Sequence, residues 1–298
     1  MVNFLKYRRI YYTLSGALVL VSIFSIVFYG LNLGIDFTGG SALEIEFKKD
    51  RPSNQEIENK LADFNLKLAS VQSTGERGMI IRMTDINEET HQQVLISLNQ
   101  AGGGIEQKSF ESIGPVVGKE LTDKTKVFVI LVLLAIVVFI AIAFRGASRP
   151  ISSWKYGLVA SLVAFFHDIL IPLGVFSLLG KFYGVQVTIP IVVGLLTILG
   201  YSVHDTIVVF DRIRENISRG AALTFEEIVN KSLNQTMARS INTSFTTLLV
   251  LFAIFFIGGE TLKYFSLILI LGITTGTYSS IFIASPILVT MMKKPQRK

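Results

Sequence analysis

The sequence predicts a membrane all-α six-helix bundle with one inserted α+β domain. Three observations carry that fold class: long uncharged apolar runs, a charge bias between the segments that join them, and one polar insertion patterned for strands and helices. Half of the 298 residues are hydrophobic and 17% are charged, against about 25% charged in an ordinary soluble domain. Residues 10–29, 127–144 and 264–292 contain no charged side chain. A helix of about 20 such residues spans a bilayer, and in lipid the backbone must satisfy its own hydrogen bonds.

Six spans are expected, at 10–30, 127–144, 156–179, 185–209, 240–257 and 264–292. The first follows Lys6, Arg8 and Arg9 as a signal peptide would. It is too long for one and lacks a small-residue cleavage site, so it is read as a retained anchor. The fifth has an apolar stretch of only 13 residues, 245–257. It must recruit 239–244 to cross, which draws Arg239, Asn242 and Thr243 into the membrane edge, with Thr246 and Thr247 continuing the stripe.

The net charge of +6 is unevenly placed: residues 36–126 are net −4 and the remainder net +10. With a cytoplasmic N-terminus, the inside segments 1–9, 145–155, 210–239 and 293–298 hold fifteen Lys and Arg, and the short outside loops hold two. That is a positive-inside bias, which places both termini in the cytoplasm and argues against nucleic acid as the reason for the basic excess. The absence of cysteine rules out disulfides and thiolate metal sites.

The domains are therefore 1–35 (N-terminus and first span), 36–126 (extracytoplasmic), and 127–298 (five spans and a cytoplasmic loop at 210–239). In the insertion, Leu43, Ile45 and Phe47 alternate with Glu44 and Glu46, as in a half-buried strand. Ser53 and Glu56 form a capping-box pattern before Ile57, Leu61 and Phe64 at helical spacing. A second strand is expected to reach Val71, a third at 78–83, a helix over 87–100 and a last strand at 105–113. The order β-α-β-β-α-β is the ferredoxin-like split βαβ arrangement. Thr224 and Glu227 form another capping pattern, opening an amphipathic helix near the inner surface.

Two carboxyls fall inside spans, Asp168 and Asp205, and each follows a histidine, His167 and His204. Intramembrane ionisable groups are costly and usually functional. Pro172 removes the amide that would bond the Asp168 carbonyl. Asp205 lies near the cytoplasmic end of its span, with Tyr201 and Ser202 on its face. For Asp168, proton passage and a bridging, protonated structural role both stand; for Asp205 the functional reading is favoured. The histidines are read as packed helix residues, so no metal is expected. Gly272 and Gly276 form a small-xxx-small packing pattern. No nucleotide motif occurs, no cofactor is expected and no enzymatic activity is predicted. Two carboxyls on consecutive helices leave an intramembrane aspartyl protease as one alternative, and a passive scaffold as another.

Several strings resemble the SecF-type chains of the SecD/SecF family, in the resistance-nodulation-division superfamily. They are Gly34-Ile-Asp-Phe-Thr-Gly-Gly40, Ile113-Gly-Pro-Val-Val-Gly-Lys-Glu-Leu121, His167-Asp168, Gly200-Tyr-Ser-Val-His-Asp205 and its continuation to Asn216, Ala238-Arg-Ser-Ile-Asn-Thr-Ser244, and Gly276-Thr-Tyr-Ser-Ser280. The resemblance covers nearly the whole chain. It implies a six-helix half-transporter in the bacterial inner membrane, paired with SecD, working beside SecYEG and YajC on the translocating preprotein. It also implies use of the proton-motive force for late translocation. Asp205 and Arg239 match the family positions tied to proton passage.

Overall fold

The computed structural model describes residues 2–62, 64, 66, 68–145, 154–219 and 223–292. The inside-charge segments 146–153 and 293–298 lie outside the described residues. The chain divides into a helical unit (residues 1–31, 129–179 and 189–298) and a sheet unit (residues 32–128 and 180–188).

Helix α1 (Arg8–Tyr29) follows a 3-10 turn, Phe4–Tyr7, and ends at Gly30. After it come α2 (Ile35–Thr38), β1 (Gly40–Phe47), α3 (Asn54–Ala62), β2 (Leu68–Thr74), β3 (Gly78–Met83), α4 (Glu88–Ala101) and β4 (Ile105–Ile113). The remainder is helical: α5 (Pro115–Arg145), α6 (Trp154–Tyr183), α7 (Ile189–Ser218), α8 (Phe225–Ile257), α9 (Glu260–Ser279), a π-helical segment Ser280–Ala284, and α10 (Ser285–Met292).

In the sheet unit the strands run β2-β3-β1-β4, with every pair antiparallel. The alternation in β1 sets which side chains leave water. Leu43, Ile45 and Phe47 are buried and join Ile57 and Leu61 of α3, Val94 and Leu98 of α4, and Met79, Ile81 and Met83 of β3 in one core. Leu43 stands opposite Ile81 and Ile45 opposite Met79, so one face of the sheet carries that core. The strand enters through Gly39 and Gly40, at φ +72° and +127°. A Cβ on Gly40 would sit 2.7 Å from the Met83 carbonyl oxygen, and one on Gly39 2.9 Å from Pro115 Cα. Only glycine fits both the backbone conformation and the space. The short α2, four residues long, was not anticipated. Its side chains hold no periodic pattern long enough to read.

Helix α1 inverts the pattern of a helix in a soluble bundle. On α1 the buried residues are Ser15, Ser22 and Ser25, while Leu14, Leu20, Val21, Phe24, Val27 and Phe28 are exposed. An apolar exposed face over a buried face of serines suits a lipid surround, where a helix gains by close approach to its neighbours. Ser25 donates to the Gly174 carbonyl at 3.2 Å, and Ser177 donates to the carbonyls of Ser25 and Gly30. Gly194 lies where a Cβ would come 2.6 Å from Ile268. On α9, Gly272 faces Ile198 and Gly276 faces Ser202, so the expected small-residue pattern marks the approach of α7 and α9.

Among the described residues, five helices are long and apolar enough to cross a membrane. They hold residues 4–29, 161–183, 189–218, 225–257 and 262–291. The expected span 127–144 falls on the 31-residue α5, which ends against undescribed residues.

Two local expectations change. Where a cytoplasmic loop was expected at 210–239, α7 continues to Ser218 and α8 begins at Phe225. Buried Val209, Phe210 and Ile213 of α7 pack in one core with Val229 and Leu233 of α8, and Asn216 bonds Ser232 at 2.8 Å. This packing keeps both helices wound beyond a bilayer's length. The Thr224–Glu227 capping box is present with both reciprocal bonds, and it starts the same helix that becomes the expected fifth span. The last expected span is interrupted by the π segment. Pro286 cannot donate to the carbonyl four residues back, and Ser285 donates its hydroxyl to the Ser280 carbonyl at 3.0 Å.

Candidate functional site

Polar side chains gather inside the helical unit where α6, α7, α8 and α9 meet. Asp168 on α6 is completely buried. Ser202 of α7 and Ser279 of α9 both donate to its Oδ2, the latter at 2.7 Å. His167 Nδ1 lies 2.8 Å from its Oδ1. Ser202, expected on the face of Asp205, thus serves Asp168 instead. Asp168 ties three helices together.

Asp205 on α7 is less enclosed. Ser240 of α8 donates to its Oδ1 at 2.6 Å. Among the described residues its Oδ2 is buried without a hydrogen-bonded partner, though the Ser280 hydroxyl is close to the carboxyl. Arg239 precedes Ser240 on α8 and is exposed. Among the described residues no ion pair joins it to Asp205, but its charge acts on that carboxyl through space. The Ser240 bond places Arg239 one residue from the Asp205 contact, so the two expected site residues do come to one place.

The supporting residues divide. Tyr201 donates to or accepts from Ser244 at 2.9 Å, and Ser244 meets Thr277 at 2.6 Å, a chain across α7, α8 and α9. Thr206 meets Ser280 at 2.8 Å beside it. His204, Asn242 and Thr243 are exposed instead. Thr246 and Thr247 return their hydroxyls to carbonyls of their own helix. The exposed face of α7 and α8 is therefore polar at His204, Arg239, Asn242 and Thr243. Sequence reasoning missed Ser240, Ser244, Thr277, Ser279 and Ser280, although all five stand in strings that the resemblance singled out.

Asp168 and Asp205 have separate hydrogen-bonding partners, and no hydrogen bond joins them among the described residues. A protease dyad needs two carboxyls close enough to share a proton. Among the described residues no group of three His, Asp or Glu gathers as a metal site would.

Comparison with known proteins adds the following. The family model described as protein export membrane protein SecD/SecF, C-terminal, matches residues 93–294, and the SecD/SecF GG motif matches residues 24–50. That motif includes Gly39 and Gly40, through which β1 is entered. The chain is 40% identical to the protein translocase subunit SecF of Thermobaculum terrenum, over 99% of this chain and 95% of that one. It is 36% identical to SecF of Haemophilus influenzae, over 95% and 84%. Among solved structures, SecDF of Thermus thermophilus, a translocon-associated membrane protein, superposes with a TM-score of 0.83 at 32% identity. A SecDF in a super-membrane-facing form gives 0.64 at 29%. Each match covers 98% of this chain but 39% of the solved one, so this chain spans well under half of SecDF.

Proposed function

The chain belongs to the SecD/SecF family of protein-export membrane proteins, and from that premise we propose that it uses the proton-motive force to assist late translocation of preproteins across the bacterial inner membrane. It is a membrane protein of the Sec machinery. In the proposed reading it has six spans, with α5 as the sixth, and both termini are cytoplasmic. Its sheet unit is the extracytoplasmic domain, of ferredoxin-like split βαβ topology; the strand order β2-β3-β1-β4 supports this. SecD supplies the matching half, and SecYEG, YajC and the translocating preprotein are the remaining partners.

The observation that carries the mechanism is the half-satisfied carboxyl of Asp205 beside Arg239. A lone carboxyl out of water favours its neutral form, and a nearby guanidinium, charged at every relevant pH, favours the anion. Movement of α8 along α7 changes the separation of the two groups and hence the proton occupancy of Asp205. By linkage, proton uptake then biases the position of α8. The exposed polar face around Arg239 fits a protein-covered interior rather than lipid, which supports a membrane partner there.

The test is export by the SecD-containing complex in vesicles under an imposed proton gradient. Asp205→Asn, which keeps the shape but cannot titrate, and Arg239→Met should each abolish the gradient-dependent part while leaving complex assembly intact. Asp205→Glu should retain some of it, and Asp168→Asn should lose less than Asp205→Asn. A wild-type rate for Asp205→Asn would sink the mechanism and leave a passive scaffold.

A further inference from the structure

A cleft of about 360 Å³ lies among α1, α6, the π segment and α10. Its accessible wall is almost wholly hydrocarbon, from Val19, Val163, Phe166, Leu170 and Ile283. The polar side chains in the lining, Ser15 and His167, are buried. The rim is exposed at Val163 and Phe166, and on α1 Leu14 and Leu18 beside it are exposed as well. Both α1 and α6 are long and apolar enough to cross a membrane, so this rim suits hydrocarbon rather than water. Gly16 also lines the cleft, and a Cβ there would meet nothing within 4 Å. Gly174, Gly194 and Gly272 differ, because a Cβ on each would run into a neighbouring helix. A glycine inside a helix is less stable than alanine, and Gly16 makes room for no described part of its own chain. Three residues before Tyr12, at the end of the same lining, stands Arg9. It is exposed and makes no ion pair among the described residues, whereas Arg8 is held by Glu226 at 3.5 Å.

We propose that the cleft is a binding site for one anionic phospholipid, with an acyl chain lying along α1 past Gly16 and the phosphate on Arg9. Charge and length both select this occupant. A free guanidinium at one end of an apolar cleft complements a phosphate that carries a hydrocarbon chain, and it binds phosphate through two parallel N–H bonds. Basic groups at the end of a cleft between membrane helices are the usual means of holding such a headgroup. From Arg9 to Val19 the helix rises about 15 Å. That is half of a hydrocarbon core of about 30 Å, the depth of one leaflet. A partner's crossing helix would need an apolar track over the full thickness. The polar face of α7 and α8, at which a membrane partner is proposed, shares none of the lining residues. Tyr12 closes the headgroup end of the lining, where its hydroxyl engages Thr290 at 3.1 Å and so ties α1 to α10 beside the site.

The site is separable from the export reading because its readout is lipid occupancy. The SecD-containing complex, stripped of lipid and titrated with phosphatidylglycerol or phosphatidylcholine, is read by native mass spectrometry. Arg9→Gln should weaken the tightest phosphatidylglycerol about fivefold, the worth of one basic side chain beside an anionic headgroup, and leave phosphatidylcholine nearly unchanged. Gly16→Phe fills the cleft from a position with free space around its Cβ, and should remove one bound lipid of either kind. Leu20→Phe, at an exposed position of α1 outside the lining, should change neither. In membranes, a photoreactive benzophenone side chain in place of Val163 should give an adduct of one phospholipid mass, which Gly16→Phe reduces. Lipid binding in Gly16→Phe equal to wild type would overturn the site, and an adduct with a protein at position 163 would show that a partner's helix fills the cleft instead. Should Gly16→Phe not assemble, unchanged phosphatidylglycerol binding in Arg9→Gln, or no lipid adduct at position 163, would decide against the proposal.

Discussion

At Asp205 the chemistry is set by what its two oxygens meet. One accepts from the Ser240 hydroxyl at 2.6 Å and the other, among the described residues, has no hydrogen-bonded partner. Burying an acceptor without a donor is costly for a carboxylate and tolerable for a neutral acid, which in the proposed function makes proton uptake depend on what surrounds Asp205. Ser240 supplies the one donor bond, and removing it should push that balance toward the neutral acid. Ser240→Ala is therefore expected to reduce gradient-dependent export to a level between wild type and Asp205→Asn, with the optimum moved to higher external pH. An unchanged optimum would separate Ser240 from the proton step. Asp168 contrasts with it, because both its oxygens have partners, Oδ2 from α7 and α9 and Oδ1 from His167.

Among the elements, α9 is the one most constrained by its neighbours. Gly272 and Gly276 let α7 lie against it, and a Cβ at Gly272 would run into the Ile198 side chain. Ile198 is β-branched and has one strongly preferred rotamer in a helix, so it cannot readily turn aside to relieve such overpacking. Gly272→Leu should lower the amount of folded protein recovered from membranes, and Ile198→Ala in the same chain should restore part of it. Full recovery of Gly272→Leu alone would show that the approach is not needed. In the sheet unit, α4 carries a different sensitivity. Glu88 in its first turn is held below the usual carboxylate range by a hydrogen bond from Gln92, with His91 adding to it. A carboxyl lowered on folding adds stability above its unfolded value of about 4.3, and that stability is lost as pH falls through the folded value. Amide exchange in α4, corrected for intrinsic rate, should accelerate below about pH 4, and Glu88→Gln should flatten the dependence. The effect is small, because Glu88 is exposed.

For the whole molecule, the surface of the helical unit is the informative feature. Most of it is apolar, but the face of α7 and α8 carries exposed His204, Arg239, Asn242 and Thr243. Charged groups left against hydrocarbon are expensive, whereas a protein-lined cavity accommodates them. In cells lacking SecD the chain should be degraded faster than in cells containing it. A pulse-chase measurement reads this directly, and equal lifetimes would count against an obligate pair. Substituting Asn242 and Thr243 with leucine should narrow the difference, since the solitary chain then tolerates lipid on that face.

What the sequence determined by itself was what local pattern can encode. Runs poor in charge located the five helices that, among the described residues, are long and apolar enough to cross a membrane. The alternation of Leu43, Ile45 and Phe47 located a strand and its buried face, and Thr224 with Glu227 located a helix start, because each signal depends on neighbours only a few residues apart. The carboxyls Asp168 and Asp205 were legible as a cost that an apolar span does not otherwise accept. Tertiary structure alone decided how these residues are satisfied. His167-Asp168 and His204-Asp205 are identical dipeptides, yet one histidine is buried and the other is exposed. Ser202 serves the carboxyl of another helix rather than the one three residues along its own. A serine in a helix can return its hydroxyl to its own backbone at no cost in sequence pattern, as Thr246 and Thr247 do here. Which hydroxyls turn outward to a neighbouring helix is fixed only when glycines at 272 and 276 bring that neighbour within reach.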